Sequence, residues 1–173
     1  MYQMLSFIIG IVIAVMISVN GTLSNCYDVF RSAVIIHIVG VIFATLLYCL
    51  KKEKKPLFRQ EPFWLYLGGA LGFLTTIFNN FAFEYISMTS IIALGLFGQM
   101  LSTALIDTFG LLGMEKYPFR KSSLLGVFFA LAGVFVMLDF SITSSLLSVL
   151  LSIGGGVTVV LSRTGNARLS EKT

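Results

Sequence analysis

Seven side chains able to hydrogen-bond, titrate or carry an ion stand inside or at the ends of long apolar runs: Asn20, His37, Asn79, Asn80, Glu84, Gln99 and Asp107. Such groups are expensive in hydrocarbon; where they occur they face a cavity or a partner helix and mark the path of a substrate or ion. Gln99 lies near the middle of its run, where no loop accounts for it. It either contacts a substrate at the bilayer midplane or bonds across a helix pair, an interaction worth about 0.6 kcal/mol. Asn20 closes the first run, and Asn79 and Asn80 close the third. Asn80 and Glu84 are spaced i, i+4 and so share a helical face. His37 could carry protons or bond a neighbouring helix. Glu84 and Asp107 could couple ion movement, or face water at a helix end.

Other chemistries are missing from the sequence. There is no G-x-S-x-G and no H-E-x-x-H, and the lone His37 has no nucleophile at a recognisable spacing, so no catalytic residues are assigned and the chain is not expected to be an enzyme. One histidine and two cysteines, Cys26 and Cys49, fall short of the four N/S ligands of a structural zinc site, so no metal or cofactor is expected. Gly154-Gly155-Gly156 is not followed by Gly-Lys-Ser/Thr and is no phosphate loop.

The elements that must hold these residues follow from composition. Of 173 residues 57% are hydrophobic and 12% charged, and the mean hydropathy is +0.93, whereas a soluble domain carries about 25% charged residues. The chain is therefore read as an all-α membrane protein. A spanning helix takes about 20 residues, so about six helices exhaust the length. The spans fall at Met4–Leu23, Ser32–Leu50, Pro62 to about Phe83, a fourth ending near Gly110, Leu124–Leu138 and Leu146–Leu161. Met1 to Gln3 carry no basic residue, so the first run is a retained helix and not a secretory signal. Cys26 and Cys49 fall at opposite ends of the second helix, so no disulfide is expected between them.

Net charge +4 does not indicate nucleic-acid binding, because the basic residues cluster in short loops between apolar runs. Lys51, Lys52, Lys54, Lys55 and Arg59, then Lys116, Arg120 and Lys121, then Arg163, Arg168 and Lys172 fall on one side of the six-span arrangement, against Arg31 on the other. Positive charge marks the cytoplasmic side, so both termini are expected in the cytoplasm of a multi-pass cell-membrane protein.

Placing Gly10 on Gly156 aligns Leu5-Ser6 with Leu151-Ser152, Asn20 with Asn166, and Leu23-Ser24 with Leu169-Ser170. This divides the chain into a five-helix repeat, residues 1–140, and the first helix and cytoplasmic tail of a second repeat, residues 141–173. Five is odd, so the second unit would enter the bilayer inverted, as in many secondary transporters. On this reading the chain stops one helix into its second unit and is incomplete as a transporter. Gly68-x-x-x-Gly72 and Gly126-x-x-x-Ala130 with Gly133 are expected to let helices approach closely, and Gly95 and Gly98, flanking Gln99, could open backbone to a ligand.

The segments Ile36-His37-Ile38-Val39-Gly40, Tyr66 to Gly72 (YLGGALG), Ala93 to Gln99 (ALGLFGQ) and Asp107 to Gly113 (DTFGLLG) resemble the YdcZ-like branch of the drug/metabolite transporter superfamily. The resemblance implies a bacterial cytoplasmic-membrane protein working as ten helices, fused or assembled from two five-helix chains of opposite orientation. Asn20, Gln99 and Asp107 are its matching polar residues; the chain departs at Met16, where many relatives carry Gln.

The expected function is therefore alternating-access transport of small metabolites or drugs, with the lipid bilayer, an unknown small-molecule substrate and a second copy or complementary half-transporter as partners. The alternative is a truncated, non-transporting subunit that packs against partner helices.

Overall fold

The computed structural model describes residues 2–51, 62–117, 121–137 and 146–172. Six α-helices account for most of them: α1 (Tyr2–Tyr27), α2 (Val29–Leu50), α3 (Gly68–Phe83), α4 (Met88–Phe109), α5 (Lys121–Met137) and α6 (Leu146–Lys172). Two 3-10 turns, Phe63–Leu67 and Leu111–Gly113, precede α3 and follow α4, and the described residues contain no strand. By length and apolarity α1, α2, α4 and α6 can each cross a membrane; α3 and α5 are shorter, at 16 and 17 residues. The structure is an all-α helical membrane bundle. The basic residues Lys52 to Arg59 and Arg120, and the repeat boundary at residue 140, lie outside the described residues.

The breaks have local causes. The first helix does not stop at Leu23: α1 continues to Tyr27, and a single residue, Asp28 at φ 75°, reverses the chain. Its backbone N–H still donates to the Ser24 carbonyl at 2.9 Å. Its carboxylate accepts from the backbone N–H groups of Phe30 at 2.9 Å and Arg31 at 3.0 Å, which satisfies two orphan donors of α2 and offsets the left-handed backbone. At the other sharp turns Ser87 caps α4 by accepting from the Ser90 N–H at 3.2 Å, and Gly110, at φ 64°, ends it in the left-handed form that glycine adopts freely. The third span enters as a 3-10 turn after Pro62 and becomes α-helical only at Gly68.

The largest departure from expectation is α6, which runs eleven residues beyond Leu161, to Lys172. Arg163 and Arg168, assigned from the sequence to a polar tail, are helical residues. α6 lies against both α3 and α4, its most extensive contacts. It runs antiparallel to α3: the Thr75 and Thr158 hydroxyls are 2.7 Å apart and Ser162 Oγ donates to the Gly68 carbonyl at 2.8 Å. It runs parallel to α4, with Ile153 against Gly98, and Arg168 against Gly113 beyond the end of α4.

The glycines explain how close this approach is. A Cβ on Gly98 would overlap the backbone of Ile153, and one on Gly156 would overlap the Gly95 carbonyl. Backbone cannot swing aside as a side-chain tip can, so only glycine fits there. Gly95 and Gly98 thus serve the α4–α6 seam and do not open backbone to a ligand. Of the glycines expected to pack, Gly68 does, against Asn166 of α6. Gly72, Gly126 and Gly133 have no neighbour within 4 Å of a Cβ position. Gly72 borders a cavity, and the apolar residues around Gly126 and Gly133 on α5 are largely exposed.

The buried seam is rich in hydroxyls. Ser102 donates to the Gly98 carbonyl at 2.8 Å and Ser152 to the Ser148 carbonyl at 2.8 Å, each within its own helix. These bonds hide the polar atom while keeping the side chain small. Ile91, Leu94, Phe97 and Ile106 fill the remaining core on α4. Most of α1 and α2 presents exposed apolar side chains such as Phe7, Ile11, Ile42 and Leu46, as expected of a surface meeting lipid.

Candidate membrane cavity

A cavity of 260 Å³ opens between α1, α3 and α6. α1 contributes Met16, Ile17 and Asn20; α3 contributes Gly72, Thr75, Thr76, Asn79 and Asn80; α6 contributes Val159, Ser162 and Arg163. Three of the residues singled out from the sequence, Asn20, Asn79 and Asn80, therefore meet in one place, although Asn20 lies some sixty residues from the other two.

They are not equivalent. Asn80 is 1% exposed, and its Nδ2 donates to Ser32 Oγ of α2 at 3.0 Å; Ser32 in turn donates to the Val29 carbonyl at 2.9 Å. Asn80, part of the cavity wall, thus ties α3 to α2. Asn20 and Asn79 are half-buried, and neither amide has a hydrogen-bond partner among the described residues. Thr75, Thr76 and Ser162 are committed to bonds with Leu71 and Thr158, with Gly72, and with Gly68. The free hydrogen-bonding capacity of the cavity resides in Asn20, Asn79 and Arg163.

Arg163 was not singled out from the sequence. It is the only charged residue of the lining among the described residues, and it forms no ion pair with any of them. Its Nη1 donates to Gln99 Oε1 at 3.4 Å. Gln99 packs beside Gly156, and Arg163 follows Gly156 by seven residues, two turns or about 10 Å along the helix. The guanidinium therefore reaches back toward the N-terminal half of α6, the direction in which helical side chains lean. This brings Gln99 to the cavity edge through Arg163.

The remaining expected site residues lie elsewhere. His37 Nδ1 bonds the Ala33 carbonyl of its own helix at 2.9 Å, and its ring meets Phe73 edge-on at 5.0 Å. Glu84 is exposed at the end of α3. Asp107 is half-buried near the end of α4, where its carbonyl accepts from the Tyr117 N–H at 2.9 Å. Cys26 and Cys49 are free and exposed, and no cluster of metal-binding side chains occurs among the described residues.

A family model described as "Putative inner membrane exporter, YdcZ" matches residues 1–136. The chain belongs to this family. The YdcZ match runs from α1 to the end of α5 and includes the α1 and α3 walls of the cavity, while the α6 wall lies beyond it. No curated protein and no solved structure was found to match the chain. Membership in an exporter family, with helices long and apolar enough to span, makes this a multi-pass protein of the cell membrane.

Proposed function

We propose that the chain moves small metabolites or drugs across the cytoplasmic membrane by alternating access, with the α1–α3–α6 cavity as its substrate path and no catalytic step. The observation that carries this reading is the pair of uncommitted amides, Asn20 and Asn79, facing one cavity between helices of an exporter-family protein. Polar groups left unpaired there cost free energy unless a substrate or water satisfies them. Gln99 adds a contact at the cavity edge. Both termini are taken to be cytoplasmic, on the distribution of Lys and Arg.

The repeat supports a second unit of opposite orientation as partner, either a second copy or a complementary half. Gly156 of α6 is pressed against α4, whereas its counterpart Gly10 on α1 has no neighbour within 4 Å of a Cβ position. In an inverted pair α1 would pack against α3 and α4 of the second unit as α6 packs against them here.

A single cysteine at Asn79, in a Cys26→Ser/Cys49→Ser background, tests the access. A membrane-impermeant thiol reagent should reach it from either face of oriented vesicles, and its attachment should stop export. Labelling from one face only would refute alternating access through this cavity. The alternative, a non-transporting subunit, predicts that no compound moves whatever the partner.

A further inference from the structure

We propose that the cavity binds an organic anion, with the carboxylate or phosphate group of the ligand held by Arg163 and the polar remainder by Asn20 and Asn79. The inference rests on the reading of this cavity as a substrate site and names the class of substrate.

Three observations support it. Among the described lining residues Arg163 is the only charge, and no carboxylate there offsets it. Arg163 is exposed where the cavity opens, and its one partner among the described residues is the neutral amide oxygen of Gln99 at a long 3.4 Å, which leaves most of its donors available to a ligand. A planar guanidinium with most of its N–H groups free is the geometry that takes a carboxylate or phosphate through two parallel bonds. The same positive potential disfavours cations.

The test uses the full chain in detergent and one ring with four head groups: benzoate, benzyl phosphate, benzamide and benzylammonium. Thermal unfolding is followed against each compound up to about 10 mM, the range of weak binding. Benzoate, benzyl phosphate or both should raise the midpoint, and the comparison of the two identifies the preferred anion. Benzamide and benzylammonium should not. Arg163→Gln should weaken the effective anion about tenfold, the loss of a charge-assisted bond, and Arg163→Lys, which keeps the charge and serves if the Gln variant does not fold, should retain part of the effect. Stabilisation by benzylammonium, anion binding unchanged in both variants, or no response to either anion would overturn the proposal. Because binding is read without transport, a protein that binds anions and moves nothing refutes the transport reading alone. One that exports only cations or neutral compounds refutes the anion site alone.

Discussion

Arg163 of α6 donates to Gln99 of α4 at 3.4 Å, across a seam that only glycines allow to close. The contact joins a residue singled out from the sequence to one that was not, and it places the only charge among the described lining residues beside the amide in the middle of α4. Gln99→Ala should therefore lower export about tenfold, since it removes a partner of a charged group, while membrane insertion and thermal stability change little. Rates measured in proteoliposomes check this, and unchanged export would remove Gln99 from the path.

The seam itself should be intolerant. Gly98→Val and Gly156→Val push a side chain into backbone and should each cost about 1–3 kcal/mol, the range for overpacking, read as a fall in the detergent unfolding midpoint. Gly126→Ala fills open space on α5 and should be neutral or stabilising by up to about 1 kcal/mol, the helix-propensity difference. Equal effects at Gly98 and Gly126 would contradict the packing described.

In the cavity wall, Asn80→Ala should destabilise by leaving Ser32 Oγ without its donor. A double-mutant cycle with Ser32→Ala should give a coupling of about 0.6 kcal/mol, typical of hydrogen bonds between membrane helices. Zero coupling would place the two side chains apart in the functional protein.

His37 faces its own helix and Phe73, away from the cavity. His37→Phe should keep export within about twofold of wild type, as expected for a change that touches no cavity group. A proton-carrying role would instead show as loss of the pH-dependence of export in that variant.

The helix boundaries were largely legible because charge-free runs long enough to span are hard to place anywhere but in lipid, and because Asp28, Pro62, Ser87 and Gly110 are turn or cap residues. Asn20, Asn79 and Asn80 could be singled out for the same reason: amides at the ends of apolar runs need partners. The far half of α6 was missed because Ser162, Arg163, Thr164, Asn166 and Arg168 lower its hydropathy to that of a tail. A signal was present. Thr158, Ser162 and Asn166 recur every four residues, and all three meet α3, through Thr75 and Gly68. That stripe continues the helix past its apolar part and carries Arg163 into the cavity. Which glycines pack could not be read from spacing alone, because Gly68-x-x-x-Gly72 has one member in contact with α6 and one facing open space.

The most direct test of the cavity as the transport path is accumulation of a mixed metabolite panel inside inside-out vesicles, where cellular export reads as uptake into the lumen, comparing wild type with Asn79→Ala by mass spectrometry at matched protein levels. Asn79 has no partner among the described residues, so its loss should leave folding intact. The expected result is an export rate lower by about tenfold for every compound the wild type carries, the order of effect of losing one well-placed hydrogen bond to the moving substrate. Export at the wild-type rate from a correctly inserted Asn79→Ala protein would contradict the assignment of the cavity.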